Sequence, residues 1–126
     1  MTEAAGGGAQ ARGRAAEALA HRHLEGQGFR VVEANLRTAG GELDLVAWEG
    51  PVLVFVEVKG RGGGHAGAPE EAVDLRKRRR LAQAAQAYLA SLEGTEPLCR
   101  FDVVAVEFGK GRPVIRHLRD AFRLGD

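Results

Sequence analysis

The chain has 126 residues, 44% of them hydrophobic, and a formal net charge of +1 at pH 7. That length suits a single domain with its own core and leaves little room for a second. The lone cysteine, Cys99, excludes an intrachain disulfide framework and a cysteine-rich zinc site. No apolar run approaches the roughly 18 residues of a membrane span, and the first residues lack the basic-then-apolar order of a secretory signal. The expectation is a cytoplasmic protein with no membrane partner.

In chain order, residues 1–10, MTEAAGGGAQ, are small and glycine-rich and read as a disordered tail. From Ala11 to Glu25 the pattern is helical, with Ala16, Leu19, Ala20 and Leu24 on one face. Gly26 and Gly28 are natural stops, because glycine accepts the left-handed conformation that follows a helix. Phe29–Ala34 is β-prone. After Gly40-Gly41, Leu43–Trp48 and Val52–Lys59 read as two strands joined by a tight turn around Glu49-Gly50-Pro51. Val52 to Val56 is apolar on both faces, which predicts a central strand. Residues 60–68 read as a flexible loop. Pro69 with Glu70 and Glu71 resembles a helix start, and the helix is expected to run to about Leu92, with Leu81, Ala84, Ala85, Tyr88 and Leu92 facing the core. Strands at Arg100–Phe108 and Pro113–Leu118 complete the order α-β-β-β-α-β-β. This is an α/β fold with a mixed sheet of about five strands, and the long helix allows a parallel crossover.

The charge distribution says more than its sum. Arg76, Lys77, Arg78, Arg79 and Arg80 form an unbroken basic run, and Arg12, Arg14 and Arg22 form a second basic region. A near-neutral chain with such blocks can hold a polyanion on one face. Five consecutive residues wrap more than a full helical turn, so only some of the run can meet one partner.

Chemistry concentrates at Asp44, Glu57 and Lys59. Glu57 and Lys59 are two apart in a strand and point to the same face, whereas Val54, Val56 and Val58 point to the other. If the preceding hairpin loop is even, Asp44 falls opposite Glu57; an odd loop turns it away. Neighbouring carboxylates repel, and a divalent cation relieves that repulsion. Mg²⁺ or Mn²⁺, held by one or two carboxylates with water and substrate phosphate, fits such a site. A nearby lysine would orient the attacking water or hold a phosphate oxygen, giving the parts of metal-assisted phosphodiester hydrolysis. A lone E-x-K is ordinarily a surface ion pair; the aspartate at hairpin distance and the apolar flanks distinguish this one.

The blocks Gly41-Glu42-Leu43-Asp44-Leu45, Val54-Phe55-Val56-Glu57-Val58-Lys59-x-Arg61 and Arg100-Phe101-Asp102-Val103-Val104 resemble the YraN-like family of uncharacterised bacterial proteins. That family is grouped with the Holliday-junction-resolvase-like branch of the restriction-endonuclease fold, the PD-(D/E)xK nucleases. The resemblance covers about residues 12–107. It implies a three-layer endonuclease-like domain over 11–126, with helices flanking a mixed sheet. It also implies Asp44 and Glu57 as metal ligands, Lys59 as the signature lysine, and Glu17 as a helix glutamate joining the active site. Lys77 is favoured by the same pattern. One departure is Glu-Leu-Asp where the superfamily often has Pro-Asp. Another is His65-Ala66-Gly67, where an aromatic is expected before the glycine.

The expected function is therefore a divalent-metal-dependent nuclease acting on DNA, branched or flapped. Asp44, Glu57, Lys59 and Glu17 would be catalytic, and Arg61, Lys77 and Arg78 would hold phosphates. A homodimer is implied by the resolvase resemblance alone. Two alternatives stand beside it: a nucleic-acid-binding module without cleavage, and a protein-interaction scaffold on the same fold. Gly62-Gly63-Gly64 lacks the Gly-Lys-Ser/Thr of a phosphate loop and reads as a linker. His21, His23, His65 and His117 are expected at the surface, Cys99 as structural, Asp102 in an ion pair or hydrogen bond, and Trp48 in core packing.

Overall fold

The computed structural model describes residues 3–62 and 73–123, with the side chains of the first helix from residue 11 onward. The elements are α1 (Glu3–Gly26), β1 (Arg30–Thr38), β2 (Gly41–Glu49), β3 (Val52–Arg61), α2 (Leu75–Ala90), β4 (Cys99–Glu107) and β5 (Val114–Phe122). This is the predicted order. The strands form one five-stranded sheet, β1-β2-β3-β4-β5. Only β3 and β4 pair in parallel; the other neighbours are antiparallel. The parallel pair follows from α2, because a strand can return in the same direction only by a long crossover.

The period-2 alternation of the strands divides the core into two layers. Leu53 and Phe55 of β3, with Phe101 and Val103 of β4, pack under Leu81, Ala84, Ala85 and Leu89 of α2. Val54 and Val56, with Val104 and Val106, pack under Ala16, Ala20 and Leu24 of α1. With both faces covered, β3 has to be apolar throughout, and it occupies the centre of the sheet as its composition predicts. Gly60 lets α1 come close: a Cβ there would lie 3.0 Å from the Ala16 Cβ and 3.3 Å from the Arg12 carbonyl oxygen.

Several boundaries differ from expectation; β1, for one, runs to Thr38 rather than Ala34. The helix α1 begins at Glu3 rather than Ala11, so the glycine-rich stretch from residue 3 is helical and not a disordered tail. Its three alanines among residues 3–9 are the strongest helix formers available, and they carry the glycines between them. The helix α2 begins at Leu75, not at Pro69. Asp74 is its N-cap, and the Asp74 side chain accepts a hydrogen bond from the Lys77 N–H. Pro69, Glu70 and Glu71, with His65, lie outside the described residues. Finally, β5 runs four residues past Leu118. Its pairing with β4 shifts by a bulge between Phe101 and Val103, and Asp120 there takes a left-handed φ of 55°.

Candidate functional site

The site begins with a mismatch between two ladders. The hairpin β2–β3 turns on two residues, Gly50 and Pro51, between the paired Glu49 and Val52. Gly50 has a φ of 57°, as a tight hairpin turn requires. The loop is even, so the register assigns Asp44 the position opposite Glu57. The pairing, however, ends at Leu45 with Val56. Beyond that point β2 stays with β1 as far as Gly41, and β3 stays with β4 as far as Arg61. The sheet forks, and Asp44 and Glu57 stand at the apex.

At the apex, Asp44 replaces the missing ladder partner. Its Oδ2 accepts a hydrogen bond from the Val58 N–H at 2.9 Å. The chain rolls over there: Leu45 belongs to the layer under α1, whereas Leu43 belongs to the layer under α2. Burial and the neighbouring Glu57 charge push the Asp44 carboxyl up to about 7, with a smaller push from Glu17 and against the Val58 hydrogen bond. Glu57 is almost fully buried, and its Oε2 lies 2.5 Å from Lys77 Nζ. A cleft of about 310 Å³ opens beside the apex, lined by Gly40, Gly41, Glu42, Asp44, Glu57, Lys77, Arg80 and Leu81. Gly40 holds its wall tight against α2, since a Cβ there would fall 2.4 Å from the Gln83 carbonyl oxygen.

The remaining candidates separate. Lys59 is exposed, two residues from Glu57 on the same side of β3, and forms no ion pair among the described residues. Glu17 is half-buried on α1 and reaches Asp44 by charge, but it lines a different cleft, with Arg14, His21, Asn35 and Leu45. Arg61 is 4% exposed and turned inward, with Nη1 3.8 Å from Glu107. Arg78 is spent on structure: its Nε donates to the Val73 carbonyl at 3.2 Å, and its guanidinium lies 5.3 Å from the Phe122 ring centre. Of the basic run, only Lys77 and Arg80 line the cleft, and Arg80 was not singled out in the sequence. The i, i+3 spacing of those two residues on α2, once its start is known, is the signal that would have found it.

The donor set is oxygen: the Asp44 and Glu57 carboxylates at the apex, with the Glu42 carboxylate also on the cleft wall. Among the described residues, no imidazole or thiol lines the cleft. Among the described residues, three metal-ligating side chains do not converge on one point. Two carboxylates completed by water and phosphate suit a hard ion such as Mg²⁺ or Mn²⁺, which dehydrates reluctantly and needs few protein ligands. The raised carboxyl at the apex is the electrostatic condition that such an ion would relieve.

A second charged cluster lies on β4 and β5. Asp102 is fully buried and accepts from Arg100 Nε at 2.8 Å, from Arg100 Nη2 at 3.0 Å and from the Asp120 N–H at 3.0 Å. His117 Nε2 lies 2.8 Å from Asp102, and its Nδ1 lies 3.2 Å from His23 Nε2 on α1. His23 and His117 are thus packed between α1 and β5 rather than spread on the surface. Burial lowers the His23 pKa, and the His117 charge adds to that. Cys99 is half-buried, and burial pushes its thiol up, which accords with a structural role. Trp48 packs against the layer under α2.

Fold and site together define a small α/β protein with a five-stranded mixed sheet and a pair of carboxylates at a fork in its middle. The chain belongs to the uncharacterised protein family UPF0102, whose model matches residues 16–106. A "UPF0102 protein" of Anaeromyxobacter dehalogenans is 50% identical over 93% of this chain and 87% of its own length. One of Symbiobacterium thermophilum is 50% identical over 87% of this chain and 94% of its own length. A third, of Xanthomonas campestris pv. campestris, is 50% identical over 93% and 95%. The matched segment spans α1 from Ala16 through β4 and includes both apex carboxylates.

Proposed function

We propose that this chain is a divalent-metal-dependent nuclease that hydrolyses phosphodiester bonds in DNA, branched or flapped. The observation that carries the reading is the apex of the fork. Two strands diverge so that Asp44 and Glu57 meet there, Glu57 paired with Lys77 and Asp44 with no ion pair among the described residues, and the Asp44 carboxyl is pushed up to about 7. Burying such a pair costs stability, and a fold accepts that cost most readily where the pair is used. Asp44 and Glu57 would hold Mg²⁺ or Mn²⁺, with the Val58 carbonyl as a further oxygen. The bound ion would lower the pKa of a water and stabilise charge on the phosphate.

The protein's own groups have distinct tasks. Lys59, exposed and on the Glu57 side of β3, orients the attacking water or meets the developing charge. Lys77 and Arg80 present positive charge to the phosphate from the α2 wall. Glu17 acts on Asp44 from the α1 side through its charge. Arg61 and Arg78 are engaged with Glu107 and Phe122 and serve the phosphate only through the walls they support. The sheet with its α2 crossover accords with the restriction-endonuclease-like core that the sequence resemblance implies.

The test is incubation of the wild type with branched, flapped, single-stranded and duplex DNA in Mg²⁺ or Mn²⁺, beside Asp44→Asn and Glu57→Gln. The expected result is cleavage by the wild type that falls at least about a hundredfold in each variant, more than an outer-shell change would cause. Salt-sensitive binding without cleavage, unchanged in both variants, would replace the reading with a binding module. Neither binding nor cleavage would favour the interaction scaffold.

A further inference from the structure

The fork without a metal still holds a cation. Glu57 is 8% exposed, and an ionised carboxylate at that depth requires a close counter-charge. The Lys77 ammonium lies 2.5 Å from its Oε2. The backbone of Lys77 is pinned, because its N–H is held by the Asp74 cap at 2.9 Å. Its four methylenes remain free to swing, and the side chain is 30% exposed toward the cleft. An ammonium at hydrogen-bond distance and a dication compete for one carboxylate oxygen, since the two cations repel each other and each draws on the same negative charge.

We propose that Lys77 is the resident counterion of the metal-free fork, holding the Glu57 oxygen that a divalent cation takes and giving way when the cation binds. The inference rests on the metal-site reading above and adds a regulation to it: cation entry is an exchange, with the ammonium leaving as the dication arrives. The exchange weakens cation affinity, because Glu57 is already engaged by Lys77 in the free protein. It also couples cation binding to substrate binding. The released ammonium remains in the same cleft as Arg80, where a phosphate oxygen can accept from both.

The test is calorimetric titration of the full chain with Ca²⁺, and then Mn²⁺, at pH 8.5, where Asp44 is ionised. The proteins are the wild type, Lys77→Met, Lys77→Arg and Asp44→Asn. The expected result is that Lys77→Met binds the cation about three- to tenfold more tightly than the wild type, the scale of one partly buried ion pair. Its Tm also rises further on cation addition, whereas Lys77→Arg stays near the wild type. Damage to the fold weakens binding, so a gain in affinity reports the lost competitor. Unchanged or weaker binding by Lys77→Met, with wild-type binding that Asp44→Asn abolishes, overturns the counterion role and leaves the metal site standing. A wild type with no Asp44-dependent cation binding overturns both.

Discussion

Asp44 on β2 and Asp102 on β4 are the same residue type in one sheet, and each accepts a backbone N–H, yet their environments drive them in opposite directions. Burial opposes ionisation at both. At Asp102 it is outweighed by His117, by Arg100 and by the Asp120 N–H, and the carboxyl settles at about 2. At Asp44 the nearest charge is another carboxylate, the one compensating bond comes from Val58, and the carboxyl rises to about 7. The bulge between Phe101 and Val103 gathers donors around its aspartate; the fork between β2 and β3 withdraws them. A satisfied buried charge holds an edge strand in place, whereas an unsatisfied one leaves a site with unused binding capacity.

The largest expected effect comes from breaking the satisfied side. Asp102→Asn should cost about 3 kcal/mol, because His117 and the half-buried Arg100 then lose the fully buried carboxylate they share, Arg100 keeping only Glu49. Urea unfolding at pH 7 measures it, and a loss under 1 kcal/mol would remove Asp102 as the anchor of β5. The wild type carries the same signature in its pH profile. Asp102 is lowered from its ordinary value, so its contribution is complete above about pH 4 and is lost as pH falls toward 2.

The opposite sign is expected at the fork. Asp44 is raised, so the folded protein binds the extra proton between about pH 4 and pH 7, and stability falls as pH rises through that window. Asp44→Asn keeps an oxygen for the Val58 N–H and removes the charge. It should raise stability at pH 8 by about 1–2 kcal/mol and change it little at pH 4. Denaturation at the two pH values decides this, and equal effects at both would mean that Asp44 and Glu57 do not repel in the folded state.

The smallest effect belongs to the rim of the Asp102 cluster. Arg119 meets Glu49 at 2.6 Å but is 48% exposed. Solvent screens such a pair, and Arg119→Ala should lie within about 0.5 kcal/mol of the wild type. A larger loss in thermal unfolding would show that the guanidinium, 5.5 Å from the Phe29 ring centre, contributes by packing.

Much of the fold was legible because burial imposes a period. Ala16, Ala20 and Leu24 at helical spacing, and the unbroken apolar run through β3, identify the elements and the central strand before any coordinates. The hairpin parity was not legible: a turn around Glu49-Gly50-Pro51 leaves it open, and the pairing of Glu49 with Val52 is what makes the loop even and places Asp44 opposite Glu57. The start of α2 was not read, because Pro69 with two acids mimics an N-terminus while Asp74 carries the actual cap. The packing of His23 and His117 was not legible for a similar reason: they are 94 residues apart, and nothing local signals their meeting.

The sequence by itself determined the element order, the central strand and the pair of carboxylates, because each rests on local periodicity or on spacing within one hairpin. Only the tertiary structure decided that the sheet forks at that pair. Only it sorted the basic run into a counterion, a cleft wall and a ring cover, and turned Arg61 inward to Glu107. Those outcomes depend on which distant backbone each strand follows and on how close a helix can approach, and such long-range contacts leave no period in the chain.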